Sequence, residues 1–454
     1  MKHIKNTKQK YTVVFILRKI NDMDHLLPLI CKFHNTGHLV RVITLGIDKI
    51  DNYLVDYMFS KTGLLVETPV LDNINSFFRF LVFIFNKAKK FFRSNNLYFL
   101  LKYLEYMYSH IKRYVLKHED LKDNVCSGIL DCNNTNVVIT DKTNIFRNKI
   151  YRNITKHASI NNIPIIRIDH GFYTMVVDED LMGDSKILLP DMKDKVFDTY
   201  HSVIELYRIS HDIRSSKISE FNKLKEIGKE EIKTFVLGNM RFSKKWVNEY
   251  KEIQKFDTTE DLEINTKNHT ILLIMSPVEH IYIDKFVSLL NSIASKFDVN
   301  IIYKPHTRRD KIDTKIKNTL NKEVEMIYSY KGTVALMDVA DLVLLCGVSS
   351  VAMHPVVDST PIIFAEYICK HVTYYSKYMG EYTSMYEYDV LTKIEDIFNN
   401  KMDFSKNKGS DRIIRELVNP NDSDDIIQDY FDLACDIVEN HNKLSLSNIT
   451  NIRS

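Results

Sequence analysis

Apolar residues occur in short unbroken runs, separated by stretches where they recur every three or four positions, and this alternation appears in two series along the chain. The first opens with residues 13–17, Val-Val-Phe-Ile-Leu. From about Asp22, the positions Met23, Leu26, Leu27, Ile30 and Phe33 keep helical spacing and predict a helix, and residues 39–45 return to an apolar run. Asn35, Thr36, Gly37 and His38 between them supply a helix stop, so the segment reads as a βαβ unit. Further runs at 137–140 and 163–168 continue the series, with Pro164 tolerated because it falls at a strand's start. The last run leads directly into Asp169, His170 and Gly171.

The second series starts near Thr270, with a strand at 271–275 that breaks at Ser276-Pro277. A helix over about 281–297 follows, then a strand at 299–303 that opens onto Lys304, Pro305 and His306. Another helix, a strand at 324–328, a short helix at 334–340 and a strand at 342–346 lead to Gly347, Ser349 and Ser350, a helix, and a strand at 361–364. Repeated β-α units predict parallel, doubly wound sheets. The polar, charge-rich segment 251–268 reads as a linker. The expected organisation is a Rossmann-like unit over 1–250, the linker 251–268, a second Rossmann-like unit over 269–420, and a C-terminal helix and tail over 421–454.

A length of 454 residues suits two to three domains with full-sized cores. A hydrophobic content of 44% with 27% charge is ordinary for a globular protein, and the net charge of +3 argues against a dedicated nucleic-acid binder. Residues 77–118 depart from that average, with nine basic residues against Glu105 alone, and thirteen Phe or Tyr. One reading is a basic, helical insertion in the first unit that lies on anionic lipid. The other packs the aromatics inward and leaves the lysines in water. No nucleic-acid recognition motif accompanies the charge.

Six scattered cysteines without a C-x-x-C pair suggest neither a disulfide framework nor a zinc site, and fit a reducing cytoplasm. The apolar run 11–17 is short and is followed by Arg18 and Lys19, so it reads as a strand rather than a signal peptide. No stretch reaches the roughly 20 apolar residues of a membrane span. The expected location is cytoplasmic, peripheral on the inner face of the plasma membrane.

Ligands of open α/β sheets sit at the carboxyl ends of the strands, so Lys304 and His306 would share a crevice with the Gly347, Ser349 and Ser350 turn. Lys304 offers a point charge, His306 a donor, and the serines offer hydroxyls and N–H groups at the start of a helix, a set suited to phosphate. The serines also suit simple helix capping, which is compatible with that role. Glu366 follows another strand end, where a base or ribose contact is expected. His354 lies in the helix after the serines. No metal ligand set and no cofactor are expected.

Asp169-His170-Gly171, Gly238-Asn239-Met240-Arg241, Lys304-Pro305-His306 and Ser349-Ser350-Val351, with Gly37-His38 in the opening unit, resemble GT-B-fold transferases. The group they resemble is the CDP-glycerol glycerophosphotransferase-like and capsule-polymer glycosyltransferase group. As architecture the likeness covers most of 11–440; as sequence it covers only these motifs. It implies two Rossmann-like domains facing across a cleft, with a nucleotide-activated donor held by Lys304, His306, Ser349 and Ser350. It also implies His170, with Gly171, facing a polysaccharide or lipid-linked acceptor as general base, and Arg241 contacting donor or acceptor. The reaction would be direct displacement without a metal. Thr307 stands where these enzymes often carry a second proline, and Gly347-Val348 replaces a more usual polar pair. Asp178, Glu179 and Asp180 form an alternative base cluster of the sialyl- or Kdo-transferase kind. A nucleotide-sugar 2-epimerase and a non-catalytic partner in polymer assembly share this fold and remain open.

Overall fold

The computed structural model describes residues 10–17, 20–45, 53–69, 76–94, 128–131, 134–141, 163–168, 203–207, 233–255, 264–276, 280–304, 326–328, 332–347, 349–370, 379–402 and 408–440, with scattered positions between 100 and 110, between 153 and 161, and at 262, 320 and 324. Two parallel sheets flanked by helices form two Rossmann-like domains. The N-terminal sheet holds β1 (Thr12–Leu17), β2 (Leu39–Thr44), β3 (Val66–Glu67), β4 (Val137–Asp141), β5 (Ile165–Ile168), β6 (Val203–Tyr207) and β7 (Lys233–Val236). Their spatial order is β3-β2-β1-β4-β5-β6-β7. The C-terminal sheet holds β8 (His269–Met275), β9 (Val299–Lys304), β10 (Met326–Tyr328), β11 (Leu342–Cys346), β12 (Ile362–Ala365) and β13 (Thr383–Ser384), in the order β10-β9-β8-β11-β12-β13.

Central strands of such sheets are covered by helices on both faces, which is why they read as unbroken apolar runs rather than alternating ones. All five residues of β11 are buried, as are residues 13–17 of β1 and 270–275 of β8. Helix α1 (Ile20–Asn35) turns Met23, Leu26, Leu27, Ile30 and Phe33 inward, as their spacing predicts. It ends where the sequence places its stop. Gly37 takes φ +86, its N–H donates to the His34 carbonyl at 2.9 Å, and the His38 N–H donates to the Phe33 carbonyl at 3.1 Å. These bonds satisfy carbonyls that the last turn would otherwise leave bare.

Helices α2 (Tyr53–Thr62) and α3 (Ser76–Ser94) follow in the N-terminal half, and α4 (Lys244–Lys255) leaves it. Helix α4 buries Trp246, Val247 and Tyr250 in one apolar cluster that also takes in Leu54 of α2, and Leu336, Met353 and Val356 from the C-terminal half. The two halves therefore share a core at their junction. In the C-terminal half, α5 (Ile283–Lys296) buries Phe286, Val287, Leu289, Leu290 and Ile293. Helices α6 (Thr333–Met337), α7 (Met353–Asp358) and α8 (Glu387–Phe398) complete its described part.

The chain then returns to where it began. Helix α9 (Lys408–Ile413) and a π-helical turn (Ile414–Val418) lead to α10 (Ile426–Asn440), which docks on α1. The ring of Phe431 lies 4.8 Å from Phe33 and 5.5 Å from His38, and the Tyr11 hydroxyl donates to Glu439 Oε1 at 2.7 Å. At the end of β7, Tyr430 donates to the Gly238 carbonyl at 2.8 Å, and the Asn239 N–H donates to the Val418 carbonyl at 2.7 Å. Gly238 has φ +101, and a Cβ there would stand 2.5 Å from the Val418 carbonyl oxygen. Tyr430→Phe should cost about 1 kcal/mol, because it leaves a buried carbonyl unsatisfied without opening a cavity. A shift in the urea midpoint checks this.

Candidate functional site

In the C-terminal sheet the strand order reverses between β8 and β11, which are neighbours although β9 and β10 lie between them in sequence. The crevice outside the carboxyl ends of two such strands is the usual ligand position of an open α/β sheet. Ser276 closes β8 and Gly347 closes β11, and the Ser276 N–H donates to the Cys346 carbonyl at 3.0 Å. Gly347 has φ +110, and a Cβ there would lie 2.5 Å from both Cβ and Oγ of Ser276. Only glycine lets the two strand ends approach this closely.

Beyond Gly347, Ser349 is extended at φ −149 and caps the 3₁₀ turn Ser350–Ala352, its side chain accepting from the Val351 N–H at 3.4 Å. The turn runs on into α7. On the other side of β8, Lys304 ends β9 opposite Ile274, which in turn stands opposite Leu345 of β11. Two strand spacings put Lys304 about 10 Å from β11 at the same level. Lys304 is half-buried, and burial lowers its ammonium to about 8. Glu366 follows β12, beside β11, and is buried. Nearby, burial and then Glu366 push the Cys369 thiol up to about 12, so it stays protonated. Lys304, Gly347, Ser349, Ser350 and Glu366 thus all occupy one edge, with Ser276 in their midst.

The carboxyl ends of the two sheets meet the same boundary. Asp24, in the first turns of the helix leaving β1, pairs with Arg241 Nη2 at 2.5 Å, and the two side chains are only 15% and 12% exposed. Phe242, next to Arg241, meets His354 of α7 edge to face at 4.9 Å, and Tyr250 of α4 stacks on the same imidazole at 5.8 Å. Burial, then the charge of Arg241, hold His354 well below the usual histidine range, so it is neutral at physiological pH. Burial likewise pushes the Tyr250 phenol well up; its hydroxyl shares a 2.7 Å hydrogen bond with Tyr53. Lys251 of α4 reaches both Asp358, at the end of α7, and Asp338 at 3.3 Å. Burial works against its charge, but the two carboxylates outweigh it and raise its pKa.

Among the described residues, Asp24 Oδ1, Arg241 Nε and His354 Nδ1 are buried with no hydrogen-bond partner. Asp24→Asn removes the counter-charge of a little-exposed guanidinium and should cost about 2 kcal/mol, less than a fully buried pair because of its residual exposure. Chemical denaturation checks the loss, and Arg241→Gln in the same chain should restore part of it.

Among the described residues, no group of three His, Cys, Asp or Glu side chains is placed to hold a metal ion. His170, Gly171, Asp178, Glu179, Asp180 and His306 lie outside the described residues. The described chain ends just before two of these motifs, at Ile168 on the carboxyl end of β5 and at Lys304 on that of β9. Arg241, read from the sequence as a ligand contact, is engaged by Asp24 in this structure. Sequence reasoning missed Ser276 and Asp24. Ser276 had a usable signal, since it ends the first strand of the second series, where the switch point of a doubly wound sheet must fall. Asp24 had none.

The two Rossmann-like domains, with strand ends that share a boundary, define the GT-B fold. No protein-family model matches the sequence, and no curated protein matches it. Among solved structures, a putative UDP-N-acetylglucosamine 2-epimerase from Listeria monocytogenes is similar over 96% of this chain and 97% of its own, with a TM-score of 0.51 and 10% identity. A UDP-GlcNAc 2-epimerase from Neisseria meningitidis, bound to UDP-GlcNAc, is similar over 96% of this chain and 99% of its own, with a TM-score of 0.50 and 12% identity. At such identities the likeness shows the fold alone.

Proposed function

We propose that the chain is an enzyme that binds a nucleotide-activated sugar or polyol at the carboxyl edge of the C-terminal sheet and works on the group that nucleotide carries. The observation that supports this most is the juxtaposition at the switch point. A half-buried ammonium on β9 stands at the same edge as the close approach of Gly347 to Ser276, with the Ser349–Ser350 turn beyond them. An anionic diphosphate offsets the burial of Lys304, and its oxygens suit the serine hydroxyls and the N–H groups of the turn. Glu366, after β12, suits a ribose hydroxyl or a base N–H.

One reading is epimerisation of a nucleotide sugar, supported by the fold that the chain shares with the 2-epimerases over nearly the whole of both chains. A second reading rests on Asp169-His170-Gly171, which follows β5, and on Gly238-Asn239-Met240-Arg241. In it, the donor group passes to a surface-polysaccharide, teichoic-acid-like or lipid-linked acceptor on the cytoplasmic face. His170 takes the acceptor hydroxyl proton as that oxygen attacks, and Lys304, His306, Ser349 and Ser350 stabilise the departing nucleotide. The finer choice of CDP-glycerol or a capsule sugar as donor belongs to this reading; in a CMP-sugar transferase of the sialyl or Kdo type, Asp178, Glu179 and Asp180 would supply the base instead.

Incubation with UDP-GlcNAc alone, followed by NMR of the sugar, separates the two. A new epimer formed without acceptor supports the first and sinks the second. Nucleotide release from UDP- or CDP-linked donors only when a polymer or glycolipid acceptor is present does the reverse. If no UDP-, CDP- or CMP-linked compound raises the melting temperature, the donor site itself is wrong, because a ligand of the folded state must stabilise it.

A further inference from the structure

Helix α3 leaves its aromatic face uncovered. Its sequence, SFFRFLVFIFNKAKKFFRS, carries Arg79, Lys87, Lys89, Lys90 and Arg93 and no acidic residue. Val82 is buried, while Phe80, Phe83 and Phe91 are each more than half exposed and Ile84 is exposed too. Arg79 and Lys87 are exposed with them. At about 100° per residue, Arg79, Phe80, Phe83, Ile84, Lys87 and Phe91 fall within one arc of about 140°, so the exposed apolar groups and the two cations share a face. Lys87 Nζ lies 4.8 Å from the centre of the Phe83 ring. The inward packing that would make this an ordinary insertion is therefore not what the described part of the chain adopts.

A second stretch extends the surface. Positions 103, 104, 106–108 and 110 are helical, and Tyr108 packs its ring 5.2 Å from Phe85 of α3, which ties the two segments together. Tyr103, Tyr106 and Met107 are exposed on it. Phenylalanine with tyrosine and lysine is the composition of a surface that sinks its rings into the headgroup region while its cations meet lipid phosphates. Among the described residues no helix is long and apolar enough to cross a bilayer, so contact of this kind lies in the interface plane. A second copy of the chain fits less well, because a two-fold contact through this face would set basic residues against basic residues.

We propose that α3 and the segment packed on it form a membrane-docking surface for anionic lipid. The inference goes beyond the reaction proposed above and does not depend on it, and its test reads no catalysis. The full chain should float with vesicles of phosphatidylcholine containing phosphatidylglycerol and bind phosphatidylcholine alone at least about tenfold more weakly, with the difference shrinking as salt rises. Phe83→Ser with Phe91→Ser should weaken binding to the anionic vesicles by about tenfold or more, and so should Arg79→Glu with Lys87→Glu. All four side chains are exposed, so both variants should keep the wild-type melting temperature. Three results would overturn the proposal. One is absence of vesicle binding by the wild type; another is equal binding to both vesicle types at all salt concentrations. The third is light scattering that shows a dimer which the Phe83/Phe91 variant dissolves, without binding to vesicles.

Discussion

Replacing Gly347 with alanine should abolish nucleotide binding and cost the fold about 3 kcal/mol or more, since two penalties coincide at this position. The backbone is at φ +110, where an L side chain is strained whatever the space. The added Cβ would also meet Cβ and Oγ of Ser276 at 2.5 Å, a distance that forces the ends of β8 and β11 apart. That displacement falls on the crevice proposed to hold the diphosphate. Thermal melts with and without UDP-GlcNAc would show both a lower melting temperature and the loss of any ligand-induced rise. Ser276→Gly in the same chain should restore part of the stability, because it removes the collision and leaves the backbone strain. A Gly347→Ala variant that melts with the wild type and still responds to ligand would remove the switch point from the site.

Lys304→Gln should weaken binding of a nucleotide diphosphate sugar by about a hundredfold, as expected when one partner of a half-buried charge pair is removed. The dependence on pH is more diagnostic. Burial holds the ammonium at about 8, so its charge is lost as pH rises through that value and affinity for the diphosphate should fall over the same range. The diphosphate diester keeps a constant charge there, and with a CDP-linked ligand, whose base does not ionise in this range, the protein is left as the titrating partner. The stability of the unliganded protein should change in the opposite sense. The unfolded chain keeps the ordinary lysine value of 10.5, so between about 8 and 10.5 it binds more protons than the folded one, and Lys304 contributes a rise of stability with pH. Lys304→Arg keeps the positive charge at all these pH values and should flatten the affinity profile without abolishing binding. Calorimetric titrations between neutral pH and pH 9 check both variants. Affinity that does not change across this range would mean that Lys304 is not at the phosphate.

The central strands of both sheets are legible because a helix-covered parallel strand must be apolar on both faces, as the runs at 13–17, 271–275 and 342–346 are. The two-residue edge strands β3 and β13, and β6 and β7, which carry Glu205 and Lys233, have no such run and are not legible in this way. The stop of α1 was legible because a left-handed residue at a helix end favours glycine, and Gly37 stands there. Lys304, Gly347 and the two serines could be read as strand-end residues for the same reason, since chain order alone places them after β9 and β11. Ser276 reads in the sequence as a break, although its place after β8 carries the same kind of information. Asp24 could not be found this way. Nothing local distinguishes it from other acidic residues near a helix start, and its partner Arg241 is far along the chain.

Which residues share a face, and which strands open onto polar groups, follow from local order along the chain, because side-chain periodicity and turn chemistry act over a few residues. What covers each face depends on how distant segments pack. The tertiary structure docks Phe431 and Tyr430 of α10 back onto the first domain, and it brings Arg241, paired with Asp24, close to His354 where the two domains meet. It also leaves Phe80, Phe83 and Phe91 outside, although the same aromatic spacing would serve a buried helix equally well. A hydrophobic stripe states that a face must be covered; its partner is chosen by contacts between segments hundreds of residues apart, or by a surface that is not part of the chain.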